Sequence, residues 1–452
     1  MDKTTLYQTI WRWHFYAGLL VLPVVTLLAL TGAAYLFKPQ IERWEERSFQ
    51  GLAIAGAVSP SAQLAAGLAQ FPGARLASYR MPETAGDAPM LHLALADGTM
   101  RDVFVAPQGA VLGSFDPDSR IIEFVRRIHG QLLLGQRGSW LVELAASWAI
   151  VMIVTGLCLW WPQTGGLAGV VWPRLRSGKR LFWRDLHAVT GFWVSGLALI
   201  LLITGLPWAD VWGAAFKAAR AEMGLVKGAQ DWTIGGKAPG GSDLHTGHDH
   251  AAITRGAAQS HAHGASPPML DAMVQRAAAE QLAFPVLIVP PGAKAAMGGE
   301  GGKASPHWTV KSDAQNRPLR VTIRYDATTG REVSRDGFAD KHAIDRVVGY
   351  GIAWHEGQLF GWVNQLIGLL TALMLVTIAV SGFVMWRRRK PADMLGAPPL
   401  PAKLPKPRSL LVTGALLAGL LPLFALSLVV LWLFDRLVLP RLPVAARWLG
   451  AA

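Results

Sequence analysis

HFYAGLLVLPVVTLLALTGAAYLF, residues 14–37, and HAVTGFWVSGLALILLITGLPW, residues 187–208, are the stretches whose comparison decides the fold. Each opens on a histidine, His14 or His187, and each reaches a Thr-Gly pair, Thr31-Gly32 or Thr204-Gly205, after seventeen residues. A second matched pair follows. HGQLLLG begins at His129 and HEGQLFG at His355; they reach Thr155-Gly156 and Ser381-Gly382 after twenty-six residues, and Trp160 and Trp386 after thirty-one. The chain therefore reads as a duplicated unit of helix, outer domain, histidine and helix.

The 452 residues are 52% hydrophobic with 19 Trp, and the apolar residues are concentrated in long runs. Five runs, 14–37, 139–161, 186–208, 361–386 and 409–434, approach the roughly 20 residues that a bilayer core of about 30 Å demands of a helix. The first run exceeds the apolar core of a secretory signal and ends in KPQIERW without a small-residue cleavage pattern, so it is read as an uncleaved span. The expected fold is an α-helical membrane protein in which two copies of (span, outer α+β module, span) form a four-helix bundle, with a fifth C-terminal span added. Its segments are 1–37, 38–138, 139–161, 162–185, 186–208, 209–360, 361–386, 387–408, 409–434 and a tail at 435–452.

Charge sets the orientation, because basic residues are retained on the cytoplasmic side. Three short segments, 1–13, 162–184 and 387–408, hold fourteen basic residues against two acidic ones, a net +12 out of +13 for the whole chain. The basic balance is thus a topology signal and gives no support to nucleic-acid binding. It places the N-terminus inside, both long loops outside and the tail outside. A bacterial inner membrane with periplasmic loops fits this pattern. The lone Cys158, in the second span, has no partner for an intramolecular disulfide and is compatible with an oxidising outer compartment.

Both loops carry strand, turn, strand signals: VFVAPQGAVLG at 103–113 and VTIRYDATTGREV at 321–333. An amphipathic stretch at 269–283 precedes the second, so each loop is expected to fold as a small α+β module. Residues 235–268 are rich in Gly, Ser and His, including His245, His248, His250, His261 and His263, and read as a solvated low-complexity insert. Weak capture of Zn or Cu is the alternative, with no cysteine and no fixed ligand geometry to support it.

Ionisable side chains in spanning segments are costly and mark functional sites by default. A single interfacial histidine is more often an anchor or cap, but two pairs at equal spacing reverse that weighting. Neutral imidazole is a good ligand for iron, and bundles build cofactor sites from inward-facing side chains. His14 and His187, at the inner helix ends, are expected to share one haem, with Gly18 and Gly191 leaving room for the flat ring. His129 and His355, at the outer side, are expected to share a second. An unbroken helix from Ser139 back to His129 would carry that histidine about 15 Å beyond the span at 1.5 Å per residue. Gly130, Gly135 and Gly138 argue instead for a break and a short interfacial segment.

Other candidates read as ordinary residues. His92, His307 and His342 lie in the loops without partners at fixed spacing. Trp11, Trp13, Trp160, Trp161, Trp183, Trp208 and Trp386 fall near span ends as an interface belt. Glu143, inside the second span, is either a proton or quinone contact or a hydrogen-bonded structural group. No CxxCH occurs, so any haem is b-type. No GxGxxG follows a strand, and the inner segments are too short to fold a nicotinamide or flavin domain, so electrons come from a quinol or a separate cytoplasmic donor.

The set WRWHFYAGL (11–19), IHGQLLLG (128–135), LCLWWP (157–162), DLHAVTGFW (185–193), WHEGQLFG (354–361) and VSGFVMWRRRKP (380–391) resembles the PepSY-associated transmembrane family over about residues 8–390. The resemblance implies a four-helix core with periplasmic PepSY modules. Some members are di-haem reductases that release iron from ferric siderophores. Carried onto this chain, the resemblance makes His14, His129, His187 and His355 the axial ligands of two haems, and a periplasmic ferric siderophore the electron acceptor. PepSY modules also occur without redox roles, so the competing expectation is a non-catalytic membrane scaffold or sensor that binds a peptide or protein in the periplasm. The fifth span and the His-rich insert fall outside the family pattern.

Overall fold

The computed structural model describes residues 3–161, 167–176, 178–226, 267–293, 305–399 and 408–450. The five histidines of the Gly/Ser/His-rich insert lie outside them. The chain divides into two compact units: Met1–Ala34 with Arg127–Trp212 and Leu366–Ala452, and Tyr35–Arg126 with Gly213–Gln365. Each is built on different physics.

The first unit is helical. Among the described residues five helices are long and apolar enough to cross a membrane: Thr5–Tyr35, Gln136–Trp160, Lys179–Trp208, Trp362–Arg389 and Pro422–Arg441. The shortest, 20 residues, still reaches about 30 Å at 1.5 Å per residue. Most of their surface is apolar and uncovered by protein, as on Leu20, Leu30, Ile203 and Leu373, which suits contact with lipid. The expected break before the second span is present. One helix, Ile121–Gln131, ends with His129 in its last turn, Leu132, Leu133 and Gly135 adopt positive φ, and the span restarts at Gln136.

The C-terminal region departs from a single span at 409–434. It is two helices, Arg408–Leu420 and Pro422–Leu433, the second prolonged by shorter turns to Arg441. Pro422 has no N–H to give the preceding turn, so the first helix stops there although the apolar run continues. At this corner the Trp212 indole donates to the Leu420 carbonyl (3.0 Å), and Leu421 packs with Ile150, Leu206 and Phe424. From the corner the chain travels the length of the unit: the Trp148 indole donates to the Ser427 hydroxyl (3.1 Å), and Arg12 finally donates to the Gly450 carbonyl (2.7 Å). Gly450, near the end of the tail, thus lies beside the start of the first span.

Among the described residues the second unit is built on one eight-stranded antiparallel sheet. Its strands are β1 (Arg75–Arg80), β2 (Met90–Ala94), β3 (Met100–Val105), β4 (Val111–Phe115), β5 (Val286–Val289), β6 (Trp308–Ser312), β7 (Val321–Tyr325) and β8 (Glu332–Gly337), in the order β4-β3-β2-β1-β5-β6-β7-β8. Among the described residues each long loop supplies four strands and one helix packed on the sheet, Pro60–Gln70 or Pro267–Ala279, but they do not fold as separate modules. They join where Tyr79 pairs with Ile288 and Arg80 with Leu287, and they share one core. That core takes Leu64, Tyr79, Leu91, Leu93 and Val103 from the first loop and Leu270, Met273, Ile288, Trp308 and Ile323 from the second. Residue pattern follows position. VLIV in β5 is buried throughout because it is central, whereas EVSRDG in β8 is largely exposed because it is an edge. The helices Pro60–Gln70 and Pro267–Ala279 are tied together by Asp271, which accepts from the Ser61 amide (2.8 Å) and hydroxyl (2.7 Å).

A buried ion pair fastens the helix Ala343–His355 to this unit. Arg220 (1% exposed) donates through both terminal nitrogens to Asp345 (3% exposed), each at 2.8 Å. Removing one partner strands the other charge away from water, a cost of about 3–5 kcal/mol. Asp345→Ala is therefore expected to destabilise the sheet unit by about that amount, read by denaturant unfolding against wild type; a loss below about 1 kcal/mol, the range of exposed pairs, refutes the assignment. For the C-terminal hairpin, reporters fused before Met1 and after Ala452 are expected to read the same side of the membrane.

Candidate functional site

Three of the four histidines belong to the helical unit, and their ring partners repeat. The Nδ1 of His14 lies 2.9 Å from the Thr155 hydroxyl, that of His129 3.0 Å from the Thr31 hydroxyl, and that of His187 3.2 Å from the Ser381 hydroxyl. Each partner is the hydroxyl residue of a Thr-Gly or Ser-Gly pair on a different helix. The glycine matters as well. A Cβ on Gly156 would stand 3.3 Å from Cε1 of His14, on Gly32 3.2 Å from Cε1 of His129, and on Gly382 3.3 Å from Cε1 of His187. The hydroxyl holds the ring nitrogen, and the bare glycine lets the backbone approach the ring edge.

Hydrogen-bond accounting assigns the ring protons. A hydroxyl has one proton to give, and in each case it is committed to its own helix: Thr155 donates to the Val151 carbonyl (2.9 Å), Thr31 to Leu27 (2.7 Å) and Ser381 to Thr377 (2.7 Å). Toward the imidazole these oxygens only accept, so Nδ1 carries the proton. His187 Nδ1 also donates to the Ile378 carbonyl (3.1 Å), and His129 makes a backbone bond at Leu28. In a neutral ring the lone pair is then on Nε2. Metal-bound histidines have this arrangement, with the remote N–H fixed by an acceptor and the other nitrogen available as ligand. Rings held in this way would suit a haem iron as its ligands.

His14 and His187 lie near the starts of the first and third spans, in the same unit. The space near them is uneven. A Cβ on Gly191 would meet nothing within 4 Å, while one on Gly18 would touch the Met152 methyl at 3.4 Å. Arg389 lies over the rings of Trp11 and Phe15, and Arg388 over Trp183, so basic residues gather at this end of the unit. Arg174 donates to both carboxylate oxygens of Asp185 (2.7 and 2.9 Å), two residues before His187. His355 belongs to the other unit, where it ends the helix Ala343–His355. Among the described residues no group of three or more His, Cys, Asp or Glu side chains could hold a bare metal ion.

Several of the remaining candidates have partners that tie the structure together. Both oxygens of Glu143 (2% exposed) accept backbone N–H groups, from Val211 (2.8 Å) and Trp212 (3.0 Å), at the start of the helix Asp210–Glu222. A carboxylate suits a helix N-terminus, where amides are unpaired and the dipole favours negative charge. Of the tryptophans at span ends, Trp160 donates to the Val170 carbonyl and Trp386 to that of Leu395, both at 2.8 Å, so these two pin loops as well as marking an interface. His92 pairs with Asp102, and His342 caps a helix by accepting from the Ile344 amide (3.2 Å). What the sequence reading missed is the part played by Thr31, Thr155 and Ser381; they had served only as spacing marks, and that spacing was the signal. For Glu143→Ala, with two buried amides left unpaired, a loss of about 1–3 kcal/mol per group is expected, and Glu143→Gln, which keeps one acceptor, should fall between; equal melting temperatures for all three proteins contradict the anchoring role.

The matched family model is that of the PepSY-associated TM region, and it covers residues 11–389. No match is found among curated proteins. The covered residues include all four histidines and most of both units. The chain belongs to the PepSY-associated transmembrane family.

Proposed function

We propose that this membrane protein is a di-haem b oxidoreductase of a bacterial inner membrane that passes electrons outward to a periplasmic ferric siderophore, releasing its iron. The observation that carries the reading is the pair His14 and His187: two imidazoles on separate spanning helices of one unit, each with its Nδ1 proton held by a hydroxyl of another helix and its lone pair at Nε2. A structural histidine needs no such duplication. His14 with His187 would hold the inner haem, and the sequence repeat assigns His129 with His355 to the outer one. Bound there, two b-type haems supply one-electron transfer across the bilayer.

The chain's own residues account for the rest. Nδ1 acceptors fix the tautomer and orientation of the rings, the apolar spans exclude water, and the arginine-rich segments favour an inner N-terminus with both long loops in the periplasm. On that topology the sheet unit is the folded surface offered to a ferric complex, and electrons enter from a quinol or a cytoplasmic donor. Iron released as the ferrous ion is held less tightly by the hard oxygen ligands of a siderophore. The four-helix bundle inferred from the duplicated spans belongs to the same proposal.

Purified from cells with ample haem supply, the chain is expected to yield about two b-type haems on extraction, and His14→Ala and His187→Ala are each expected to lose one and the same haem. Haem near zero rejects the conduit and leaves a PepSY scaffold or sensor as the reading. In reconstituted membranes, reduced protein should reoxidise when a ferric siderophore is added on the side of the sheet unit, with ferrous iron trapped there by a chelator; reoxidation only by other acceptors rejects the siderophore and keeps the conduit.

A further inference from the structure

We infer that Thr155, Thr31 and Ser381 are positioning residues that set the electron-donor strength of the candidate ligand histidines, and that His14 depends on its hydroxyl more than His187 does. The inference rests on the haem-ligation reading of those histidines and adds to it the groups behind them.

The three sites share a construction. In each, a hydroxyl spends its proton on a carbonyl one turn back in its own helix and accepts from the imidazole of another helix. At two of them the ring also meets the backbone carbonyl three residues before the hydroxyl: Leu28 before Thr31 for His129, and Ile378 before Ser381 for His187. His14 lacks the equivalent bond. Among the described residues its Nδ1 bonds the Thr155 hydroxyl alone, and the carbonyl three residues earlier, Met152, takes a second, longer contact from that hydroxyl (3.2 Å).

A proton shared with an acceptor at Nδ1 gives the ring part of the character of imidazolate, which makes Nε2 a stronger donor and favours the ferric state of a bound iron. Removing the acceptor weakens the donor and raises the midpoint potential. At His187 the Ile378 carbonyl remains when Ser381 is truncated. At His14 nothing equivalent remains, and Nε2 is free to take the proton, which would close it as a ligand.

Thr155→Val keeps the shape and removes the acceptor. In spectroelectrochemical titration of the purified full-length protein it is expected to shift the inner haem by about tenfold in the ferric-to-ferrous ratio, or about 59 mV for one electron, toward higher potential, with the outer haem unmoved. Thr155→Ser should restore the wild-type value, and Ser381→Ala should move the same haem by less. Thr31→Val should act on the outer haem alone. Unchanged potentials in Thr155→Val, or a larger effect from Ser381→Ala, overturn the inference while leaving haem binding intact.

A second measurement is independent of haem. Nitrogen-15 NMR of histidine-labelled, haem-free protein is expected to show His14 protonated at Nδ1 in wild type and as mixed tautomers in Thr155→Val. Mixed tautomers already present in the wild type refute the clamp whether or not the chain binds haem, and absence of haem with a fixed tautomer rejects the proposed function and leaves the clamp standing.

Discussion

A polar group within a membrane-spanning helix has no water to turn to, so it must be satisfied by another part of the protein. That constraint explains where the helical unit's polar residues sit and what they touch. His14, His129 and His187 are each held by a hydroxyl on another helix. Glu143 takes the first free amides of the helix that follows the third span. Asp185, fully buried, takes the Arg174 guanidinium, and Arg12, 7% exposed, gives its protons to the carbonyls of Pro398 and Gly450. These bonds tie together segments far apart in sequence, which apolar contacts alone would leave free to slide. The helices are apolar for the sake of the bilayer, and their mutual register comes from a few polar residues.

Much of this unit was legible in the chain because its periods are long. Runs of about twenty apolar residues announce spans, and Gly130, Gly135 and Gly138 announced the break that separates His129 from the second span. The division of the C-terminal apolar run has a plain cause. LLAGLLPLFALSLVV is continuous in hydropathy, and only the missing amide of Pro422 divides it. A kinked single span and a hairpin have the same composition; the corner is decided by tertiary contacts, with Leu421 among Ile150, Leu206 and Phe424 and the Trp212 indole on the Leu420 carbonyl.

The sheet unit was less legible, again for physical reasons. β3, β4, β7 and β8 lie in hairpins with Gly-marked turns, so local sequence declares them. RLASYR and MLHLA, which form β1 and β2, are short and weakly alternating. Nothing local says that β1 will pair with β5, over two hundred residues later, yet that pairing makes one sheet and one core from two loops. Sequence periodicity reports what an element buries and not which distant element covers it. The apolar run of β5, buried on both faces, was the one local trace of a central strand.

The candidate site falls between these cases. The histidines were found because they recur at equal spacing, and the Thr-Gly and Ser-Gly pairs were visible for the same reason, but spacing along one helix cannot disclose contact with another. The geometry adds why the pair is hydroxyl then glycine. A mid-span hydroxyl bonds back to its own helix and keeps a lone pair outward, so it can accept and cannot donate, which fixes the sense of the bond and hence the tautomer of the ring. A serine or threonine is the smallest side chain that does this without carrying a charge into the span. The glycine that follows removes the one atom that would hold the ring away. Thr204 repeats the first half of the device, with its hydroxyl on the Ile200 carbonyl at 2.7 Å and Gly205 next to it. At His14, His129 and His187 alike, a hydroxyl of another helix is thus the acceptor that settles which ring nitrogen carries the proton.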